Sequence, residues 1–172
     1  MKVKLLSIVL LVLFLTACQS NPLFNTDAEK VLDVTAQIVD FPLPIGFKPE
    51  LTANYKGYNF VSYKPGAKDS HLYFVQSTNS TDEENLQNIL DVLVPGASDK
   101  ESRQEVLENL PITFHGQETT MIHTKGINSD GKTYQQILVG FEGKSGPALV
   151  VYSSLSADWD MEEVFTLLES VQ

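Results

Sequence analysis

The sequence predicts an α+β domain: a largely antiparallel sheet with two main helices packed on it. Three observations lead there. Short β-like runs are separated by Pro, Gly, Asn and Asp turns. Two later segments carry apolar residues at helical spacing behind acidic caps. Hydrophobic residues make up 42% of the 172-residue chain, enough for a core, and the length fits one domain. Twenty-two Asp and Glu against 12 Lys and Arg give a formal charge of −10. Nucleic-acid binders need a basic face to displace phosphate counterions, so that class is excluded. A single cysteine excludes an internal disulfide and a Cys-based zinc site.

The elements follow in order. Thr26-Asp27-Ala28-Glu29 reads as a capping box, with Thr26 as the cap, opening a short helix. From Thr35 the texture is β-like, and Ala36–Leu43 is expected to be a strand closed by Pro42, Pro44 and Gly46. Tyr58–Tyr63 is the next strand and His71–Gln76 the third. In the third, Leu72 and Phe74 alternate with Tyr73 and Val75, the pattern of a strand covered on both faces. Thr81-Asp82-Glu83-Glu84 is a second capping box. Leu86, Ile89, Leu90 and Leu93 then give an amphipathic helix stopped by Pro95-Gly96. Ser98–Arg103 reads as a loop and Gln104–Leu110 as a strand.

Glu118–Lys125 and Thr133–Phe141 are strands joined by a turn at 126–131 rich in Gly, Asn and Asp. Ala148–Ser153 is the last strand. Asp160 and Glu163 open a terminal helix with the apolar stripe Met161, Val164, Phe165, Leu168 and Val171.

The amino terminus is an address. Lys2 and Lys4 precede an apolar run from Leu5 to Leu15, broken only by Ser7. About 11 residues make roughly 16 Å of helix, too short for a hydrocarbon layer of roughly 30 Å, but the length of a signal-peptide core. Leu15-Thr16-Ala17-Cys18 follows at once and resembles the bacterial lipobox at all four positions. That resemblance implies cleavage between Ala17 and Cys18, with a diacylglyceryl group on the Cys18 thiol. Two or three acyl chains hold a protein where one is marginal, at ~0.8 kcal/mol per buried CH₂. Gln19 in place of Asp resembles the class released to the outer membrane in Gram-negative cells. In other cells the outer face of the cell membrane is implied.

The organisation expected is therefore a signal peptide over 1–17, a lipidated tether over 18–28 and one globular domain over 29–172. Losing Lys2 and Lys4 takes the formal charge from −10 to −12. An acidic domain is repelled by anionic headgroups, and ten extended residues reach roughly 33 Å. The domain is thus expected to stand off the membrane.

Several turn and cap residues carry a second resemblance. They are Phe41-Pro42-Leu43-Pro44-Ile45-Gly46-Phe47, Asp130-Gly131-Lys132-Thr133-Tyr134, Gly143-Lys144-Ser145-Gly146-Pro147-Ala148 and Trp159-Asp160. Together they resemble small bacterial envelope proteins with a PsbP-like fold, PsbP itself being an extrinsic photosystem subunit. The resemblance implies a PsbP-like sandwich over most of residues 30–172 and a non-enzymatic role, with no catalytic set to carry over.

Other motifs favour ordinary readings. Gly143-Lys144-Ser145 lacks the Gly five positions earlier, where Leu138 stands, and a strand follows instead of a helix. A hairpin turn is expected. His71, His115 and His123 show no metal-pair spacing, and Ser145 lacks a nucleophile elbow. Asp158, Asp160, Glu162 and Glu163 suit a helix start, where the macrodipole favours negative charge, better than a Ca²⁺ site. Trp159 is expected to staple the terminal helix to the sheet, with an exposed partner contact as the alternative. Tyr55, Tyr58, Tyr63 and Tyr73 read as packing, or as the lining of a groove. No cofactor is expected.

The leading functional expectation is a lipid-anchored, non-catalytic envelope domain that binds a protein partner or supports an envelope complex. A small-ligand or lipid carrier with a cleft between sheet and helix is the alternative. A hydrolase or metal enzyme comes third, and it requires at least two of His71, His115, His123, Asp158 and Asp160 to cluster.

Overall fold

The computed structural model describes residues 23–55, 57–65, 69–78, 104–128 and 130–171. The expected helix with the stripe Leu86–Leu93, the Ser98–Arg103 loop and the lipobox lie outside the described residues. The described elements are β1 (Leu23–Asn25), α1 (Ala28–Ile38), β2 (Phe47–Tyr55), β3 (Tyr58–Pro65) and β4 (Ser70–Ser77). After them come β5 (Glu105–Phe114), β6 (Gln117–Ile127), β7 (Thr133–Gly143), β8 (Gly146–Leu155) and α2 (Met161–Glu169).

The strands form one sheet in the order β1-β2-β3-β4-β8-β7-β6-β5, and every pair is antiparallel. β4 and β8 are central and buried along most of their length. One sheet face carries Tyr63, Leu72, Phe74, Val150, Tyr152, Ile137, Val139 and Met121, packed with both described helices into the main core. The other carries Phe60, Tyr73, Val75, Leu149 and Val151 in a second buried cluster. β4 therefore contributes Leu72 and Phe74 to one cluster and Tyr73 and Val75 to the other, the two-sided burial its sequence predicts.

Four local readings are corrected. First, Ala36–Ile38 end α1 and do not start a strand. Val31, Thr35 and Ile38 are the buried positions of α1, one turn apart, so helical spacing overrode the β preference of branched side chains. The Thr35 hydroxyl donates to the Val31 carbonyl (2.8 Å) and meets the Tyr63 hydroxyl, joining α1 to β3. Second, the cap of α1 is Asp27, not Thr26: its carboxylate accepts from the Glu29 and Lys30 amides at 2.9 and 3.2 Å. Third, the strand before Tyr58 is β2, which begins at Phe47 directly after the Pro44–Gly46 turn that was expected to close a strand. A bulge between Pro49 and Leu51 breaks its alternation. Fourth, Leu23–Asn25, assigned by composition to the tether, pair with Asn54, Ala53 and Thr52 as an edge strand.

The remaining strands sit where expected. β5 runs further than Gln104–Leu110, through Pro111 to Phe114; as an edge strand it tolerates a residue without an N–H. Gly143 and Gly146 pair around Lys144-Ser145, the hairpin expected in place of a phosphate loop. That hairpin latches α1: the Lys144 amide donates to the Ile38 carbonyl (2.9 Å), and its ammonium reaches the Ala36 carbonyl and Asp40. A cation at a helix C-terminus also suits the macrodipole. A Cβ on Gly143 would lie 2.2 Å from Nε2 of the buried Gln76, 3.0 Å from Ala148 Cβ and 3.1 Å from the Ile38 carbonyl oxygen, so this close approach requires glycine.

Candidate functional site

α2 opens at Asp160, whose carboxylate accepts from the Glu162 and Glu163 amides at 2.9 and 3.3 Å. The acidic cluster therefore acts as a cap and first helical turn, as its sequence suggests. Val164, Leu167 and Leu168 are the buried face of α2. Phe165, assigned to the apolar stripe from sequence, is instead 39% exposed. Leu167 takes its place in the core.

Trp159 stands just before that cap. Its ring stacks on His123 of β6, with centroids 5.0 Å apart and planes 9° from parallel, and lies 5.9 Å from the Tyr152 ring. It is half-buried and packs against the main core. The geometry is that of a staple from the start of α2 to the sheet.

Each histidine keeps separate partners. His123 is buried, and its Nε2 lies 2.9 Å from Gln135 Oε1. His71 Nδ1 lies 3.3 Å from Glu50 Oε2, which also accepts from Ser62 Oγ at 2.9 Å, and its ring stacks on Tyr73. His115 has a φ of 51° and Gly116 one of 71°. They form the two-residue β5–β6 turn, in which both central residues need positive φ. Among the described residues, no group of three or more His, Cys, Asp or Glu side chains is placed to hold a metal ion. Burial, with Glu50 and Asp69 as second and third causes, pushes the Tyr73 hydroxyl pKa above the usual tyrosine range. Burial raises that of Tyr63 as well.

Among the described residues, two surface features stand out. A groove of about 490 Å³ runs between the last turn of α2 and the end of β5, lined by Ile112, Phe114, His115, Phe165, Leu168 and Val171. None of Tyr55, Tyr58, Tyr63 and Tyr73 lines it; Tyr58, Tyr63 and Tyr73 are buried in the two cores. These tyrosines therefore do not form the lining of this groove. The second feature is a corner of the sheet. Val106 and Leu107 at the start of β5 are 57% and 43% exposed, and Ile127 at the end of neighbouring β6 is 53% exposed. β5 ends the sheet order, so its outer edge pairs with no other described strand. Sequence reasoning missed this corner because an edge position is a property of topology, not of composition.

Among the described residues no helix is long and apolar enough to cross a membrane. No protein-family model matches the sequence, and no curated protein matches it. Among solved structures, the solution structure of cyanobacterial PsbP (CyanoP) from Synechocystis sp. PCC 6803 is similar. It shares 14% identity, covers 91% of this chain and 95% of that chain, and gives a TM-score of 0.47. At that identity and score, nothing about function is taken from the likeness.

Proposed function

We propose that the chain is a lipid-anchored, non-catalytic domain of the cell envelope that binds a protein partner. The observation that carries this reading is the lipobox Leu15–Cys18 directly after a signal-length apolar run, with the chain's one cysteine at the acceptor position. Gln19 favours the outer membrane, facing the periplasm, in a Gram-negative cell. The partner surface is the open β5 edge at Val106 and Leu107, near the end of β6 at Ile127. Exposed apolar side chains beside an open strand edge are what an extended partner segment uses: the edge supplies backbone hydrogen bonds and the side chains supply affinity. Pro111 and the bulge between Val106 and Glu108 limit such pairing to a short stretch.

The test is crosslinking in intact cells with the anchor in place, comparing the native chain with Leu107→Asp. The native chain should enrich one partner in near-stoichiometric amount. The substitution should lose it while leaving the urea midpoint within about 0.3 M. Recovery of the same abundant bystanders by both chains contradicts the proposal.

A second reading, an apolar-ligand carrier, is favoured by the groove alone, whose volume exceeds the roughly 300 Å³ floor of ligand sites. It predicts saturable binding of a fluorescent fatty acid that Phe165→Asp abolishes. Absence of saturable binding removes it.

A further inference from the structure

The register fixes where the chain leaves the sheet toward Cys18. Leu23 pairs with Asn54, Asn54 with Asn59, Asn59 with Gln76, and Gln76 with Ala148, which pairs with Phe141. This row crosses six strands at the end of the sheet where β2–β3, β5–β6 and β7–β8 turn back. The groove at Phe114 and Phe165 lies at this hairpin end. The opposite end holds the start of β2, the β6–β7 turn and the apolar corner at Val106 and Ile127.

Covalent geometry then limits the approach. Leu23 belongs to the sheet, so only residues 19–22 separate it from Cys18. Five Cα steps span at most roughly 18 Å. From Asn54 back to Phe47, β2 runs seven residues, or roughly 23 Å. If the opposite end touched the leaflet with the strands upright, Leu23 would sit beyond the reach of its own tether.

From this we infer that the short tether orients the domain, resting the hairpin end on the lipid headgroup layer and turning the apolar corner to the aqueous compartment. The inference rests on the lipid anchor proposed above and replaces the stand-off expected from sequence. Charge opposes this orientation. The hairpin end carries Glu118, Glu142 and Glu169, and its Lys144 is paired with Asp40. Lys48, Lys64, Lys125 and Lys132 lie at the opposite end, together with Glu50, Asp69, Glu105 and Asp130. Anionic lipid alone would repel the opposite end less than the hairpin end. The tether excludes that arrangement by length for upright strands, whatever the lipid charge. A partner must therefore come from the aqueous side.

Acylation blocks Cys18, so single cysteines introduced by Ser145→Cys (hairpin end) and Asp130→Cys (opposite end) can each carry a fluorophore. Both positions are exposed. The acylated full chain is placed in phosphatidylcholine vesicles containing headgroup-nitroxide lipid. The label at position 145 should be quenched at least threefold more than that at 130. Ten Gly-Ser residues inserted after Ser20 should abolish the difference. Equal quenching with the native tether, or stronger quenching at 130, overturns the inference. Acylation is read separately from the mass of the protein. A failed anchor and a wrong orientation therefore give different results.

Discussion

Removing the Trp159 ring separates the two roles that the sequence allows it. Truncating a fully buried Trp to Ala costs about 3–5 kcal/mol. Trp159 is half-buried, so about 2 kcal/mol is expected from lost packing against Tyr152 and the core. The parallel stack on His123 is part of that loss, since ring pairs contribute about 0.5–1.5 kcal/mol beyond area. With a urea slope near 2 kcal/mol/M, Trp159→Ala should lower the unfolding midpoint by about 1 M. Far-UV circular dichroism is the readout, because the substitution removes the only tryptophan. Trp159→Phe, which keeps a ring over His123, should lose about half as much. An unchanged midpoint for Trp159→Ala, with loss of a crosslinked partner, would refute the staple and make the ring a partner contact.

Three further perturbations probe the fold. Gly143→Ala should cost about 2 kcal/mol or more, because its Cβ would press on the buried Gln76 amide as well as on Ala148 and the Ile38 carbonyl; the urea midpoint reads it, and a neutral result denies the close packing around this hairpin. Asp160→Ala should cost about 1 kcal/mol by leaving the Glu162 and Glu163 amides unsatisfied, whereas Asp160→Asn should cost much less; equal losses would mean that carboxylate charge matters more than capping. Tyr73 keeps its proton above the ordinary tyrosine range when folded, mainly through burial, while the unfolded chain releases it near pH 10. The folded state then binds more protons, so this contribution is complete below about pH 10 and falls as pH rises beyond it. Tyr73→Phe should flatten that alkaline decline, and an unchanged decline contradicts the assignment.

Where the sequence was readable, local chemistry and tertiary packing agreed. The central strand at Leu72–Val75 declared its two covered faces. The Gly143–Gly146 turn and the Asp160 cap formed where their residue types demand. Where the reading failed, two signals competed. Thr35, Ile38 and Val39 have branched side chains that suggest strand, yet Val31, Val34, Thr35 and Ile38 keep the helical spacing of three, four and seven, and spacing decided. β2 was hidden by Lys48, Pro49 and Glu50 and by its bulge. β1 is three residues long and is held by pairing with a partner 31 positions away at Leu23↔Asn54, which no local pattern records. The same reason hid the candidate site. Val106 and Leu107 flank an open edge only because β5 ends the described sheet. The groove needs α2 to finish beside the β5–β6 turn.

Function and orientation alike depend on the chemical state of one thiol. Intact-mass and N-terminal peptide analysis of protein extracted from the membranes of its own cells reads that state directly. The expected result is a chain that begins at Cys18 and carries a diacylglyceryl mass on its sulfur. A free thiol within an uncut chain, or a water-soluble product released to the medium, contradicts it.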